Sequence, residues 1–361
     1  MLKHHQAMKS LEEEAAKALE DLLEQVPVVK LVGIEQESTR SDHREVDIVA
    51  HVEVSGRRHL LVCEVKSSGQ PRHVRMAVLQ LRNYLVHNEQ QATPVFIAPY
   101  LSPEAQALCR EESVGYLDLE GNARLLFDTV FIERTVASKP SAERREFKAL
   151  FKPKSAQVLR VMLVDPGKAW RVTELARRAA VSLGHVSNVR TGLLNREWAT
   201  VSDDGLFLSD PNALLDAWRE AYEPPAGKRM SFYTTLHGGA FEEAARRVLG
   251  SASSTGHAAF ASFSAAHWLA PFARTGTQYL YVDEAGVDGL RAGLRLTSAS
   301  KGENVVVTVL KDPGLLQDTV EPAPGAFCTS PLQTYLDLSI AGERGREAAD
   351  HLRREKLTWP T

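Results

Sequence analysis

Hydrophobic and polar positions change period several times along the chain, and each change marks an element. Residues 10–26, SLEEEAAKALEDLLEQV, place Leu11, Ala15, Leu19, Leu22 and Val26 on one helical stripe. Ser10 and Glu13 have capping-box spacing at its start. Val28 to Ile34 is apolar enough for a strand. From Glu45 to Lys66 the period falls to two: Val46, Ile48, Ala50 and Val52 alternate, Ser55-Gly56 turns the chain, and Leu60-Leu61-Val62-Cys63 fills a second strand. Helical spacing returns over Arg72–Leu85. Pro94–Pro99 reads as a short buried strand and Ser102–Glu112 as a helix opened by Ser-Pro-Glu. Gly115–Phe127 then forms two strands around Glu120-Gly121-Asn122. Helix, strands, helix, strand, helix, strand in this order imply a mixed sheet flanked by helices, an α/β (α+β) architecture.

Thr135 to Ser155 is polar and charged, a linker with one short helix. Ser155–Leu163 is an apolar-striped helix, Thr173 is placed to cap ELARRAA, and Val181-Ser182 makes a turn. A third helix, Ser182–Trp198, holds Val186, Val189, Leu193 and Leu194 at helical spacing, and Ala199–Leu208 reads as strand, tight turn and strand. Beyond a hinge at Pro224-Pro225-Ala226-Gly227, helices (Gly239–Leu249, Ala258–Ala270) alternate with strands (Thr277–Val282, Val305–Leu310). The tail is a helix, a glycine break and a second helix. The expected organisation is a first domain over 1–137, a basic linker over 138–154, a helical domain over 155–222 and an α/β domain over 228–361.

Composition narrows the class. At 361 residues the chain exceeds one compact core. No apolar run approaches the ~20 residues that span a membrane, and MLKHHQAMKSLEEE lacks the apolar core of a signal peptide. Cys63, Cys109 and Cys328, odd in number and far apart, fit reduced thiols in a cytoplasmic protein. Net charge is −3, but between Lys139 and Arg196 the basic residues outnumber the acidic ones, with Lys139, Arg144, Arg145, Lys148, Lys152, Lys154, Lys168, Arg171, Arg177 and Arg178 crowding its first part. That local excess is the electrostatic footprint of a DNA-binding module.

Three charges interrupt the apolar strand pair: Asp47 on the first strand, Glu64 and Lys66 on the second. Glu64 and Lys66 are two apart and share one face of a pleated strand. Unpaired charge beside Leu60–Cys63 is costly, and a divalent cation is one reason for it: two carboxylates hold Mg²⁺ while it keeps waters. The plainer account is a salt-bridged strand pair on a wet sheet face. The arrangement resembles the PD-(D/E)xK nuclease superfamily, of restriction-endonuclease-like fold. The resemblance makes Asp47 and Glu64 ligands for Mg²⁺ or Mn²⁺, Glu64-Val65-Lys66 the (D/E)xK tripeptide, and Gln80 the glutamine of the next helix. It also allows the first helix an acidic ligand, with Glu13, Glu14 and Glu20 as candidates, although a solvated acidic face is the better account of them.

Residues 155–222 resemble a winged helix-turn-helix. Short polar side chains near the start of the third helix would read base edges: Ser182, His185, Ser187, Asn188, Arg190 and Thr191, with Arg177 on the preceding helix. A helical domain used only for packing is the alternative. With the tail CTSPLQTYLDLSIAGERGREAADHLR, GYLDLEGNARLLF and EVKSSGQPRHVR, the whole chain resembles AbiEi-type regulators, the antitoxins of type IV toxin–antitoxin systems. That resemblance implies binding to double-stranded promoter DNA, a C-terminal α/β domain needed for antitoxicity, and a nucleotidyltransferase toxin as functional partner, and it leaves room for a homodimer. The nuclease-like region departs from shorter members of that family. Three readings follow: a sequence-specific regulator, a Mg²⁺-dependent endonuclease aimed by its winged helix, and an interaction protein that neutralises a toxin without catalysis.

Overall fold

A computed structural model of the protein describes residues 2–36, 46–86, 92–137, 139–251, 257–272 and 276–359; Arg44 and Glu45, at the start of the alternating stretch, lie outside them. Helix α1 (Leu2–Glu24) begins before the expected start at Ser10. The residues ahead of Ser10 are Leu, Lys, His, Gln, Ala and Met, with neither Gly nor Pro to stop a helix. Ser10 is therefore interior, its hydroxyl 3.5 Å from Glu14, and the expected capping box does not form. Ala15, Ala16, Leu19, Leu22 and Leu23 of α1 pack on one face of a seven-stranded sheet.

That sheet runs β1 (Val29–Gln36), β2 (Ile48–Val54), β3 (Arg57–Val65), β4 (Ala92–Ala98), β5 (Gly115–Asp118), β6 (Ala123–Phe127) and β7 (Val130–Arg134), adjacent in space as in sequence. β1 to β3 are an antiparallel meander. Ser55 and Gly56, with φ of 50° and 80°, turn β2 into β3 as a two-residue hairpin requires. β3, β4 and β5 are parallel, so each step needs a crossover. Helices α2 (Pro71–Val86) and α3 (Pro103–Glu111) supply these crossovers and cover the face opposite α1 through Val74, Ala77, Leu81 and Leu108. Ser102 caps α3, accepting the Ala105 N–H at 3.2 Å. β7 was not legible in the pattern: Asp128, at φ 48°, reverses the chain into a five-residue strand in which only Val130 and Ile132 are buried.

Helix α4 (Ser141–Leu150) lies in the polar stretch and leads to α5 (Pro153–Val164), α6 (Val172–Arg178), α7 (Leu183–Asn195) and a hairpin of β8 (Ala199–Ser202) and β9 (Gly205–Leu208). Thr173 is inside α6 rather than its cap; Arg171 holds that position without a side-chain bond. Ser182 does cap α7, its Oγ accepting the His185 N–H at 3.3 Å and meeting His185 Nδ1 at 2.8 Å. Val186, Val189 and Leu193 form the buried stripe of α7.

After α8 (Pro211–Ala221) come β10 (Gly227–Tyr233), α9 (Gly238–Ser251), β11 (Ala258–Phe260), α10 (Ser262–Leu269), β12 (Gln278–Val282), α11 (Val287–Gly293), β13 (Thr297–Ser298), β14 (Val305–Leu310), β15 (Thr319–Val320), β16 (Cys328–Thr329), α12 (Pro331–Ser339) and α13 (Gly342–Lys356). A second mixed sheet has the order β13-β10-β14-β12-β11-β16-β15. The helix expected over Ala258–Ala270 is a strand followed by a helix, because Ala259 pairs with Tyr281 before the chain turns at Ala261; the four apolar residues Ala258–Ala261 show no period that would mark the strand. By its contacts the chain divides into two compact units, residues 1–147 with 190–200 and residues 148–189 with 201–361. Among the described residues no helix is long and apolar enough to cross a membrane. Cys63, Cys109 and Cys328 are buried free thiols.

A buried polar network in the second unit makes stability depend on pH. Tyr222 donates its hydroxyl to Asp337 Oδ1, Gln333 Nε2 donates to the same oxygen at 2.9 Å, and Arg160 donates to Gln333 Oε1 at 2.6 Å. Burial pushes the Asp337 carboxyl up from 3.8 to about 6, opposed by bonds from Tyr222, Tyr281 and Gln333. The folded state thus holds this proton more tightly than the unfolded one. The stabilisation is full below the unfolded value of 3.8 and is lost as pH rises through about 6. Asp337→Asn keeps an acceptor oxygen and cannot ionise. In denaturant melts across this range, the stability of the native protein relative to the variant should fall as pH rises; a constant difference would assign the slope to other groups.

Candidate functional site

The end of the β2–β3 hairpin gathers the charges singled out in the sequence. Ile48 pairs with Cys63, which sets Asp47 at the register position opposite Glu64. Asp47 Oδ2 accepts the Val65 N–H at 2.6 Å, so its carboxylate is folded back onto the strand that carries Glu64. Lys66 donates its ammonium to Glu64 Oε1. The backbone fixes Lys66 in turn: its N–H bonds to Ile97 O at 3.0 Å, and Gly69, just beyond, bridges to Leu101. A Cβ at Gly69 would lie 2.1 Å from Tyr100 O, so glycine is what lets this loop close against β4's exit.

Glu64 is 2 % exposed. Burial first, then the Asp47 charge, push its carboxyl up to about 7; Lys66 opposes this and Glu12 of α1 adds to it. Glu64 Oε2 is buried and has no hydrogen-bond partner among the described residues. A desolvated carboxylate oxygen left open beside a second carboxylate is an unfavourable arrangement that a hard cation would relieve, and the oxygen donors suit Mg²⁺ or Mn²⁺. Among the described residues no group of three or more His, Cys, Asp or Glu is close enough to hold a metal. A cation here would therefore rest on Asp47 and Glu64 and complete its shell with water.

Gln80 is exposed. It lies on the solvent side of α2, whose buried positions are Pro71, Val74, Ala77, Val78, Leu81 and Tyr84. Glu13, Glu14 and Glu20 are likewise exposed. The first-helix carboxylate that acts on Glu64 is Glu12, half-buried because it precedes buried Ala15 and Ala16 by one helical turn; that spacing was the available signal. His73 was also passed over. It is half-buried at the start of α2, its imidazole held below its usual value by burial, Arg72 and Lys66, with a hydrogen bond to Asn195 acting the other way. Arg75, two residues on, shares its Nε–H between both carboxylate oxygens of Glu197 at 2.8 and 3.0 Å.

On α7 and its approach, Ser182, His185, Ser187, Asn188 and Thr191 are exposed, as is Arg177 of α6, and Arg190 is half-buried. Ser182 and His185 bond to each other in the cap. Asn188 stands on the outward face, opposite Val186 and Val189.

Residues 207–358 match the family described as "Transcriptional regulator, AbiEi antitoxin, Type IV TA system". The AbiEi match takes in α8, the second sheet, α12 and α13, and so Tyr222, Gln333 and Asp337, but not Arg160, α7, Asp47, Glu64 or Lys66. No curated protein matches the chain. Two solved structures resemble part of it: EndoMS in apo form (18% identity, TM-score 0.22, 29% of this chain and 45% of that one) and a repair endonuclease from Pyrococcus abyssi (18%, 0.22, 28% and 46%). The match spans less than half the length of either.

Proposed function

We propose that the protein is a sequence-specific DNA-binding transcriptional regulator of the AbiEi antitoxin kind. The AbiEi match over residues 207–358 carries this reading. The basic three-helix and hairpin segment that leads into the match supplies the reader. We take α5, α6, α7 and the β8–β9 hairpin as a winged helix-turn-helix. In this reading Ser187, Asn188, Arg190 and Thr191 meet base edges of double-stranded DNA, Arg177 contacts phosphate, and Ser182 and His185 fix the start of α7. The functional partner is a nucleotidyltransferase toxin, countered by the C-terminal α/β domain.

The test is binding of the full chain to the promoter of its own operon. Asn188→Ala and Arg190→Ala should each weaken specific binding by about 1–3 kcal/mol and leave non-specific binding nearly unchanged. Equal weakening on all sequences would reduce them to phosphate contacts. No preference for the promoter at all would remove the regulator reading.

The open oxygen of buried Glu64 favours a second reading, a Mg²⁺- or Mn²⁺-dependent endonuclease within the same chain. Asp47 and Glu64 would hold the metal, which when bound supplies a more acidic water and offsets charge on phosphate. Lys66 holds a positive charge beside Glu64, where it would steady a scissile phosphate. Gln80, on the outer face of α2, is left the role of a contact to DNA phosphate. The two readings are compatible within one chain.

A further inference from the structure

Three consecutive residues at the end of α7 are each held by a side chain of α2 or α4. Asn195, the last residue of α7, is hydrogen-bonded to His73 of α2. Arg196 is buried; it donates to Gly192 O at 3.1 Å, lies 3.6 Å from Glu146 of α4, and sits 5.7 Å from the ring centres of both Phe147 and Trp198. Glu197 receives the Arg75 Nε–H on both of its carboxylate oxygens. The turn that presents these residues is a left-handed helix cap. The Glu197 N–H bonds to Leu194 O at 3.1 Å, the Trp198 N–H bonds to Leu193 O at 3.0 Å, and Glu197 has φ 60°. Glycine would make the same turn without a side chain; glutamate makes it and reaches Arg75.

These contacts divide α7 between the two compact units. Residues 183–189 go with the second unit, which also holds α5 and α6, and residues 190–195 go with the first, which holds α2. Ser187 and Asn188 stand on one half of the helix, Arg190 and Thr191 on the other. A packed helix moves as a rigid element, so whatever holds its last turn also bears on where its first turns point.

We propose that the Arg75–Glu197 pair, with the His73–Asn195 bond beside it, positions α7 for sequence-specific reading of DNA. Neither pair needs to touch a base. Both act through the helix whose Ser187, Asn188, Arg190 and Thr191 meet base edges, and they give the first unit a part in promoter recognition that does not require cleavage. The inference rests on the regulator reading.

The test measures binding of the full chain to its own promoter and to an unrelated duplex, and takes the ratio of the two affinities, which cancels a change in overall charge. Arg75→Glu and Glu197→Arg should each lower that ratio about threefold or more, and the double exchange, which restores the pair with its charges reversed, should recover most of it. Arginine is compatible with the cap, because Arg295 fills the same position after α11 at φ 52°. Glu197→Gly keeps the cap and removes the side chain, so it should lower the ratio without loss of the helix end. A pair that serves stability alone would lower the melting transition and leave the ratio unmoved. An unmoved ratio in all three single variants, or a double exchange no better than its parents, overturns the proposal. If the native protein shows no preference for the promoter, the regulator reading falls instead. Amide exchange of residues 190–198 in the free protein then judges the contact: faster exchange in Arg75→Glu, restored in the double exchange, leaves the hold on α7 standing, and unchanged exchange removes it as well.

Discussion

Lys66→Ala should lower metal-dependent nicking or cutting of DNA by at least about a hundredfold. In the folded chain the Lys66 ammonium is the partner of a carboxylate that is 2 % exposed and raised to about 7 by burial and by Asp47. Its removal takes away the positive charge at the site and leaves Glu64 beside a like charge. Because that change also strains the fold, Asp47→Asn is the cleaner companion. The asparagine carbonyl still accepts the Val65 N–H, as Asp47 Oδ2 does at 2.6 Å. Yet it contributes no negative charge to a cation. Asp47→Asn should keep the melting behaviour and promoter binding of the native protein while losing cleavage to a similar degree. The measurement is supercoiled plasmid nicking with Mg²⁺ or Mn²⁺, against a chelator control. Cleavage that survives both substitutions belongs to another site or to a contaminant. No cleavage by the native protein under any metal leaves the chain a regulator alone.

How much of this was legible in the sequence depends on what each residue had to reveal. The β2–β3 hairpin was readable because its faces alternate and Ser55-Gly56 supplies the turn. Glu64 and Lys66 were readable because they interrupt an apolar run. Glu12 was not, since three consecutive glutamates look alike until burial of Ala15 and Ala16 fixes which one turns inward. Gln80 matched a motif position, but a helix is placed by its apolar stripe, and Val74, Ala77, Val78 and Leu81 rotate Gln80 outward. The strand Ala258–Phe260 was hidden for a different reason. Its partners, Val282 to Leu280 and Cys328, are distant in sequence, and no local signal stands for a long-range pairing. The hold of Arg75 on Glu197 was equally invisible, because it is made by segments that only the fold brings together.

Asp118→Ala should cost about 3–5 kcal/mol of stability, the largest effect expected of any single substitution in the first unit. Asp118 is 1 % exposed. One carboxylate oxygen accepts the N–H groups of Glu120 and Asn122 at 3.1 and 2.8 Å. The other accepts the N–H of Leu101 at 3.1 Å and Asn122 Nδ2 at 2.9 Å. Alanine would take this acceptor from three backbone donors and a buried amide. Asp118→Asn should fall between, because it retains one acceptor and turns a donor toward the other pair. The effect also reaches the candidate site: Leu101 bridges Gly69, and Ser102 donates its N–H to Gly69 O at 3.0 Å, so the loop after Lys66 leans on the strand end that Asp118 holds. Denaturant melts should rank the native protein above Asp118→Asn and that above Asp118→Ala. Below its melting transition the alanine variant should also cleave more slowly, if the chain cleaves at all. Equal stability of the three would mean that the carboxylate is dispensable and that the β5–β6 turn is held by its backbone bonds alone.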